Sequence, residues 1–279
     1  MALTKIAYIT TLVFVFITSY AYSAGQTDTE QLIRQISPPL AVLKEKEVTK
    51  DEIYLDCYYE PSEILQGSRT GQWSELTTLF AYLHGNVRGY ASVSQYERFD
   101  NKDYTGNFGA YFTFKDSYVH VEEGFGWMVD YMYKFQSITE YGHRLVDTLF
   151  GQIGYSYRGY PSGDNHMVYP GLIYYFGDSY MSATYGASCI EARDTANFGT
   201  IQGNFAITKF LQWNCGLAFG ERLYDIYGLD AHDEYGYILF TGIKLNIYKG
   251  IYFRAGYSYG TEKPKFIKRG VNFGLSVKF

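Results

Sequence analysis

The last ten residues of the chain, GVNFGLSVKF, alternate between apolar residues and small or polar ones. The apolar positions are Val271, Phe273, Leu275, Val277 and Phe279. A β-strand places the two sets on opposite faces. An exposed edge strand of this kind would invite aggregation in water, whereas in a closed barrel its apolar face would contact lipid and no edge would stay free. The pattern therefore favours a transmembrane β-barrel.

The same alternation runs through most of the chain after residue 51. In residues 149–159, LFGQIGYSYRG, one face carries Leu, Gly, Ile and Tyr, and the other carries Phe, Gln, Gly, Ser and Arg. Residues 251–260, IYFRAGYSYG, repeat the arrangement. Segments of about 9–11 residues are long enough to cross a bilayer as tilted strands. The uniform texture predicts one domain built from such strands.

Turn signals alternate in length along the chain. Short ones lie at 84–86, 115–117, 143–147, 177–179, 208–210 and 248–250. Longer polar segments lie at 61–72, 99–103, 160–165, 190–196, 222–234 and 260–267. Short turns at one rim and long loops at the other are typical of outer-membrane barrels, whose short turns face the periplasm. We predict an all-β, antiparallel up-and-down barrel of 14 strands, or 12 if Glu75 and Glu123 interrupt two of the segments.

Composition agrees with a barrel and excludes a nucleic-acid partner. The chain has 31 Tyr, 20 Phe and 29 Gly, a combination suited to aromatic girdles and a crowded interior. Its net charge of −5 provides no basic surface for nucleic acid. The three cysteines, Cys57, Cys189 and Cys215, cannot all be paired, and we interpret them as small apolar residues.

The first 50 residues differ from the rest. Residues 1–24 combine Lys5, an apolar run and small residues near Ala24, as in a cleaved secretory signal peptide. Residues 25–50 are polar and charged, without aromatic residues, and predict a periplasmic leader, a small plug or a linker. The barrel is expected over residues 51–279.

The closing segment also resembles the C-terminal signal that the outer-membrane barrel-assembly machinery reads. The resemblance rests on Asn272, Gly274, Val277 and the terminal aromatic Phe279. It implies the assembly machinery as a partner, with outer-membrane lipid and lipopolysaccharide around the barrel.

Residues 142–186, GHRLVDTLFGQIGYSYRGYPSGDNHMVYPGLIYYFGDSYMSATYG, resemble the YaiO family of outer-membrane β-barrels. The similarity lies in the Tyr/Arg-rich strand YSYRGY, a polar loop, the PGL and YYFG motifs and another tyrosine-rich strand. It implies a barrel in the outer membrane of a Gram-negative bacterium. Some relatives accompany sugar-polymer genes, so the resemblance suggests polysaccharide export or surface modification.

Charged residues on the strands should point into the lumen, because a charge on the lipid face costs about 2–4 kcal/mol at the bilayer midplane. Asp56, Glu122 and Gln136 belong to this inward register. The main candidates for lining the lumen are Arg88, Lys134, Glu140, Arg158, Lys244 and Arg254. Two interpretations remain open, a salt-bridged filled interior and a pore whose selectivity these residues set for a saccharide or small hydrophilic solute.

Tyrosines allow a similar pair of interpretations. They are expected in an interfacial girdle, with sugar-stacking platforms inside a pore as the alternative. The tyrosines in question are Tyr155, Tyr157, Tyr174, Tyr175, Tyr257 and Tyr259.

Enzymatic chemistry is the alternative function, as an outer-membrane lipid- or surface-modifying enzyme. The candidates are His166 beside Asp164, and His232 among the acidic residues Asp230, Asp233 and Glu234. No metal-binding or nucleophile motif accompanies these histidines, so no cofactor, metal or catalytic set is predicted. An envelope accessory or structural role would need neither a pore nor a catalytic site.

Overall fold

The computed structural model describes residues 51–99, 101–161, 163–190, 195–221, 235–262 and 266–279. Fourteen antiparallel strands form a closed barrel over these residues. Their bounds are β1 Glu52–Gln66, β2 Arg69–His84, β3 Val87–Arg98, β4 Asn101–Thr113, β5 Ser117–Trp127, β6 Phe135–Val146, β7 Leu149–Tyr160, β8 Gly163–Phe176, β9 Ser179–Ile190, β10 Thr195–Ala206, β11 Leu211–Glu221, β12 Tyr235–Tyr248, β13 Ile251–Glu262 and β14 Phe266–Lys278. The predicted signal peptide and leader lie outside the described residues.

Each strand pairs with its neighbours in sequence, and β1 pairs with β14 to close the ring. The prediction of 14 strands is confirmed, and the alternative of 12 is wrong. Tight turns join the strands at one rim, where Gly85, Gly177 and Gly250 have positive φ angles. The longest connection among the described residues, 128–134, lies at the opposite rim. By the usual topology of such barrels, the first rim is periplasmic and the second is extracellular.

The outward register is apolar along the predicted faces. Ile153, Phe253 and Phe273 are each about half exposed or somewhat less, as expected for side chains that would contact lipid. Residues of the opposite parity, such as Gln152 on β7 and Ser258 on β13, point inward and are buried. No helix in the described part of the chain is long and apolar enough to span a bilayer.

The predicted loop at 61–72 is wrong for most of its length. Strands β1 and β2 continue through it and pair from Glu52 and Leu83 to Gln66 and Arg69. The chain reverses only at 67–68, where Gly67 has φ 62°. The polar outward side chains of this segment made its inward face hard to recognise from the sequence. That face includes Ile64 and continues on β2 with Trp73, and both side chains are buried inside the barrel.

The two glutamates that seemed to interrupt the alternation have different positions. Glu75 points inward on β2, together with Trp73 and Thr77, so it is a luminal acid. Glu123 lies on the outward register of β5, where Ser137 Oγ donates to it over 2.8 Å. Apolar residues on the luminal face of β2 explain why its pattern was hard to interpret.

Aromatic rings lie over glycines on the inner wall. A Cβ atom at Gly142 would be 2.0 Å from the ring of Tyr118, its direct cross-strand partner. Cross-strand pairs of this kind stabilise sheets, and rings that cover glycines are a known device for curved ones. The inward-facing pairs are Tyr90 with Gly109, Tyr118 with Gly142, Tyr169 with Gly154, Phe198 with Gly186, and Phe240 with Gly216. They explain why the chain is rich in both aromatic residues and glycine.

We predict that Gly154→Val destabilises the barrel by about 1–3 kcal/mol, because the new side chain displaces the Tyr169 ring, 2.2 Å from the Cβ position. Gly89→Val is the matched control, since nothing lies within 4 Å of its Cβ position. Urea unfolding of the protein refolded in detergent micelles measures both. Equal stability of the two variants would contradict the packing role of this glycine.

Candidate lumen site

Ion pairs line the inner side of the seam where the barrel closes. Lys268 Nζ on β14 contacts Glu60 Oε1 on β1 over 3.2 Å, and both side chains are almost fully buried. Nearer the periplasmic rim, Arg254 on β13 contacts Asp56 over 2.5 Å, and Lys278 contacts Glu52 over 2.5 Å. The acids recur every four residues on the inward face of β1. They connect the first strand to the last two through the lumen.

An apolar cluster occupies the extracellular half of the lumen. Its members come from seven strands and are at most 6% exposed. They are Ile64, Trp73, Tyr169, Phe198, Ala218, Ile238 and Phe266, with Met167 and Phe240 packed against them. Trp73 and Phe266 pack with ring centroids 5.4 Å apart. Since these side chains are almost fully buried against one another, the cluster narrows the lumen at this level.

Below the cluster lies a chamber of about 520 Å³. Charged, amide and hydroxyl side chains from both walls line it, together with aromatic rings. The lining includes Asp56, Glu60, Glu75, Arg88, Tyr90, Asn107, Tyr111, Glu122, Tyr180, Gln202, Asn204, Gln212, Asn214, Lys244, Arg254 and Asn272. Its size falls within the range of small-molecule sites, and polar groups converge on it.

The acids around the chamber are held by hydrogen bonds. Tyr58 and Thr77 donate to Glu75, and Thr77 Oγ1 lies 2.8 Å from the carboxylate. Tyr90 and Gln136 donate to Glu122, with Gln136 Nε2 at 2.6 Å. Buried carboxylates need such donors, because their desolvation is costly. These bonds fix the orientation of the acids in the wall.

A second network fills the wall beside the chamber. Arg158 Nε donates to Gln136 over 2.7 Å, which connects Arg158 to the Glu122 group. Tyr118 OH donates to Glu140 over 2.6 Å. Arg158 and Glu140 are 2% and 3% exposed, so they support the wall and do not face the open chamber.

The other four residues that were predicted to line the lumen have different positions. Arg88, Lys244 and Arg254 line the chamber. Lys134 is exposed and lies in the connection before β6. It has the parity of the inward residue Gln136, and strand β6 begins one residue later, at Phe135.

Tyrosines divide between the two faces. Tyr155, Tyr174 and Tyr257 are exposed on the outer face, and Tyr157 and Tyr259 share its register. Tyr175 points inward and packs on Phe150 and Tyr180, because adjacent strand residues face opposite sides. The chamber-lining rings are Tyr58, Tyr90, Tyr111, Tyr180 and Phe240, which sequence reasoning missed. Tyr90 could have been found, since it shares the face of Arg88.

Of the predicted enzyme residues, only His166 and Asp164 lie in the described part of the chain. His166 lies on the outer face and pairs with Tyr155 OH over 2.8 Å. His143, also on the outer face, lies 2.7 Å from Ser117 Oγ, and its other contact is Tyr141. His232 and its acidic neighbours lie outside the described residues. The described part of the chain holds no cluster of three metal-ligating side chains.

The four residues that resemble an assembly signal lie on different surfaces of the barrel. Asn272 and Gly274 face the chamber. Val277 is nearly buried at the periplasmic end of β14, and Phe279 is 45% exposed while its backbone N–H donates to Ile53 O over 2.9 Å. The three cysteines are free thiols.

Comparison of sequences finds no matching family model and no matching curated protein. Comparison of folds finds outer-membrane barrels. The toluene transporter TbuX of Ralstonia pickettii has a TM-score of 0.60 at 9% identity, over 86% of this chain and 94% of that one. The CymD monoaromatic hydrocarbon channel has a TM-score of 0.58 at 7% identity, over 92% and 94%. A bacterial polysaccharide outer membrane secretin has a TM-score of 0.54 at 9% identity, over 81% and 98%.

These similarities, together with the closed 14-strand ring and its apolar outer face, show an integral outer-membrane β-barrel. Sequence identities this low establish the fold alone. The chemistry of the lumen has to be argued from the chain's own residues.

We predict that Glu60→Gln destabilises the barrel by about 3–5 kcal/mol, because it removes the negative charge beside the buried Lys268 ammonium. Glu63→Gln is the control on the same strand, since its pair with Arg269 is exposed and worth about 0–1 kcal/mol. Urea unfolding in micelles gives both free energies. A Glu60→Gln variant as stable as Glu63→Gln would show that the pair does not hold the seam.

Proposed function

We propose that this barrel is a selective channel for small hydrophilic solutes, including saccharides. The observation that carries the proposal is the polar chamber of about 520 Å³ inside a closed 14-strand wall. Amide and hydroxyl groups such as those of Asn107, Gln202 and Asn214 can exchange hydrogen bonds with a hydroxylated solute. Tyr90 and Tyr180 offer ring faces beside them.

The apolar cluster suits selective passage better than open diffusion. Hydrophobic constrictions block ions and water by dewetting. Because the cluster contains Trp73, Phe198 and Phe266, passage through the outer half of the lumen requires these side chains to move. A solute bound in the chamber directly below is well placed to shift them.

Two similarities support a saccharide among the candidate solutes. One protein of similar fold is a bacterial polysaccharide outer membrane secretin. The resemblance to the YaiO family suggests polysaccharide export or surface modification. The hydrocarbon transporters share the barrel shape. Charged and amide side chains in this chamber favour a polar solute over a hydrocarbon. Outer-membrane lipid, lipopolysaccharide and the barrel-assembly machinery are the proposed partners of the barrel itself.

Liposome swelling tests the proposal directly. Liposomes that contain the refolded protein should swell in isotonic monosaccharide solution faster than protein-free liposomes. Toluene uptake by the same liposomes should equal that of the protein-free control. A folded barrel that admits no hydrophilic solute would contradict the proposal and would favour an envelope accessory role.

We also predict that removal of the constriction opens the channel. The double variant Trp73→Ala with Phe198→Ala should raise single-channel conductance by about twofold or more, because it removes large apolar rings from opposite walls of the narrowing. Phe253→Ala with Phe273→Ala, on the outer face, is the matched control and should conduct like the unmodified protein. Circular dichroism checks that both variants retain the strand signal. Unchanged conductance in a folded Trp73→Ala, Phe198→Ala barrel would show that the cluster is not the barrier.

A further inference from the structure

The chamber carries its positive charges near the periplasmic rim. Lys244 and Arg254 are direct cross-strand partners on β12 and β13, each a few residues from the periplasmic turn that joins these strands. Arg88 is the second residue of β3 and also starts from that rim. Lys244 lies within electrostatic range of both arginines. Three cations therefore surround the inner end of one chamber.

These cations are only partly neutralised. Asp56 forms an ion pair with Arg254 and also accepts a hydrogen bond from Ser276. Arg88 and Lys244 lie over aromatic rings, those of Tyr54 at 5.9 Å and Tyr252 at 4.5 Å. Within the described ranges, neither has a carboxylate at ion-pair distance.

Arg254 adds an unused donor to this group. Its Nε is buried and has no hydrogen-bond partner among the described residues. Buried polar atoms in native proteins are nearly always bonded, to protein, water or a ligand. A guanidinium with a free donor, beside an ammonium supported by a ring, is the chemistry that binds a carboxylate.

Two acids of the chamber, Glu60 and Glu75, lie deeper than the cations, whereas Asp56 lies among the cations. Glu60 and Glu75 are direct cross-strand partners eight or more residues from the periplasmic ends of β1 and β2. Glu60 is paired with Lys268, and Glu75 accepts bonds from Tyr58 and Thr77. Glu122 is held by Tyr90 and Gln136. The periplasmic end of the chamber therefore holds three cations and one acid, Asp56, which is already paired, and the deeper acids are bonded within the wall.

We propose that the periplasmic end of the chamber binds the carboxylate of a small polyhydroxylated acid, such as a uronic acid. Arg88, Lys244 and Arg254 bind the carboxylate. Gln212, Asn214 and Asn272 lie on the same wall of the chamber and can bind hydroxyl groups. This inference rests on the proposed channel function and specifies the substrate class of that chamber.

Reversal potentials and solute block test the inference on the refolded full-length mature protein in planar bilayers. In a salt gradient the channel should prefer anions, and glucuronate should block the current at concentrations about tenfold lower than glucose. The double variant Arg88→Gln with Lys244→Gln should lose the anion preference and weaken glucuronate block by about tenfold, while glucose block stays constant. Inorganic phosphate, tested in parallel, should block less well than glucuronate.

The control carries the same change of charge outside the lumen. Lys249→Gln with Arg69→Gln alters two exposed cations, one at each rim, and should preserve the selectivity and the block. A cation-selective channel, equal block by glucuronate and glucose, or unchanged block in the Arg88→Gln, Lys244→Gln variant would overturn the inference and leave the channel function intact. Stronger block by phosphate would overturn the assignment to a carboxylate.

A barrel that neither conducts nor admits solutes would overturn the channel function instead. In that case, isothermal titration of the micelle-folded protein with glucuronate decides the inference. Binding that the double variant loses would support the site. No binding would overturn it.

Discussion

The pairing of β1 with β14 is the contact on which the rest of the structure depends. In lipid every backbone N–H and C=O needs a partner within the protein, and only a closed ladder leaves no open edge. The two strands come from opposite ends of the described chain, and Glu60 and Lys268 are 208 positions apart. Bringing together two strands so far apart in the sequence has a large entropic cost of loop closure, and the luminal ion pairs stabilise the barrel at this seam. Their inward placement also specifies the register, because a slip by one residue would turn the acids of β1 towards lipid.

The glycines of the wall determine what the closed ring can contain. A ring such as that of Tyr169 lies flat over Gly154 and so remains close to the wall. In the extracellular half, further large side chains meet these rings, and the lumen is filled by the apolar cluster. In the periplasmic half, shorter amides and serines follow the same strands, and the chamber remains open. The packing of aromatic rings over glycines along the wall therefore accounts for both the constriction and the cavity.

The alternation of the sequence was sufficient to predict the number of strands and most of their faces. It failed where local pattern and three-dimensional position diverge. The segment 61–72 was too polar on its outward face to be recognised as a hairpin. The pairing of Glu60 with Lys268 could not be predicted, because register across the closure depends on the whole ring.

The side chains of the lumen differ in how firmly they are held, and this difference bears on function. Glu75 and Glu122 each accept bonds from two side chains, so they are fixed parts of the wall. Arg88 and Lys244 are held by aromatic faces, which attract a cation without the directional bonds of a carboxylate. Because the hydrogen-bonded wall cannot open within lipid, any passage has to come from movement of side chains. The chamber thus combines acids that hydrogen bonds hold in its wall with cations near the periplasmic rim that lie over aromatic rings.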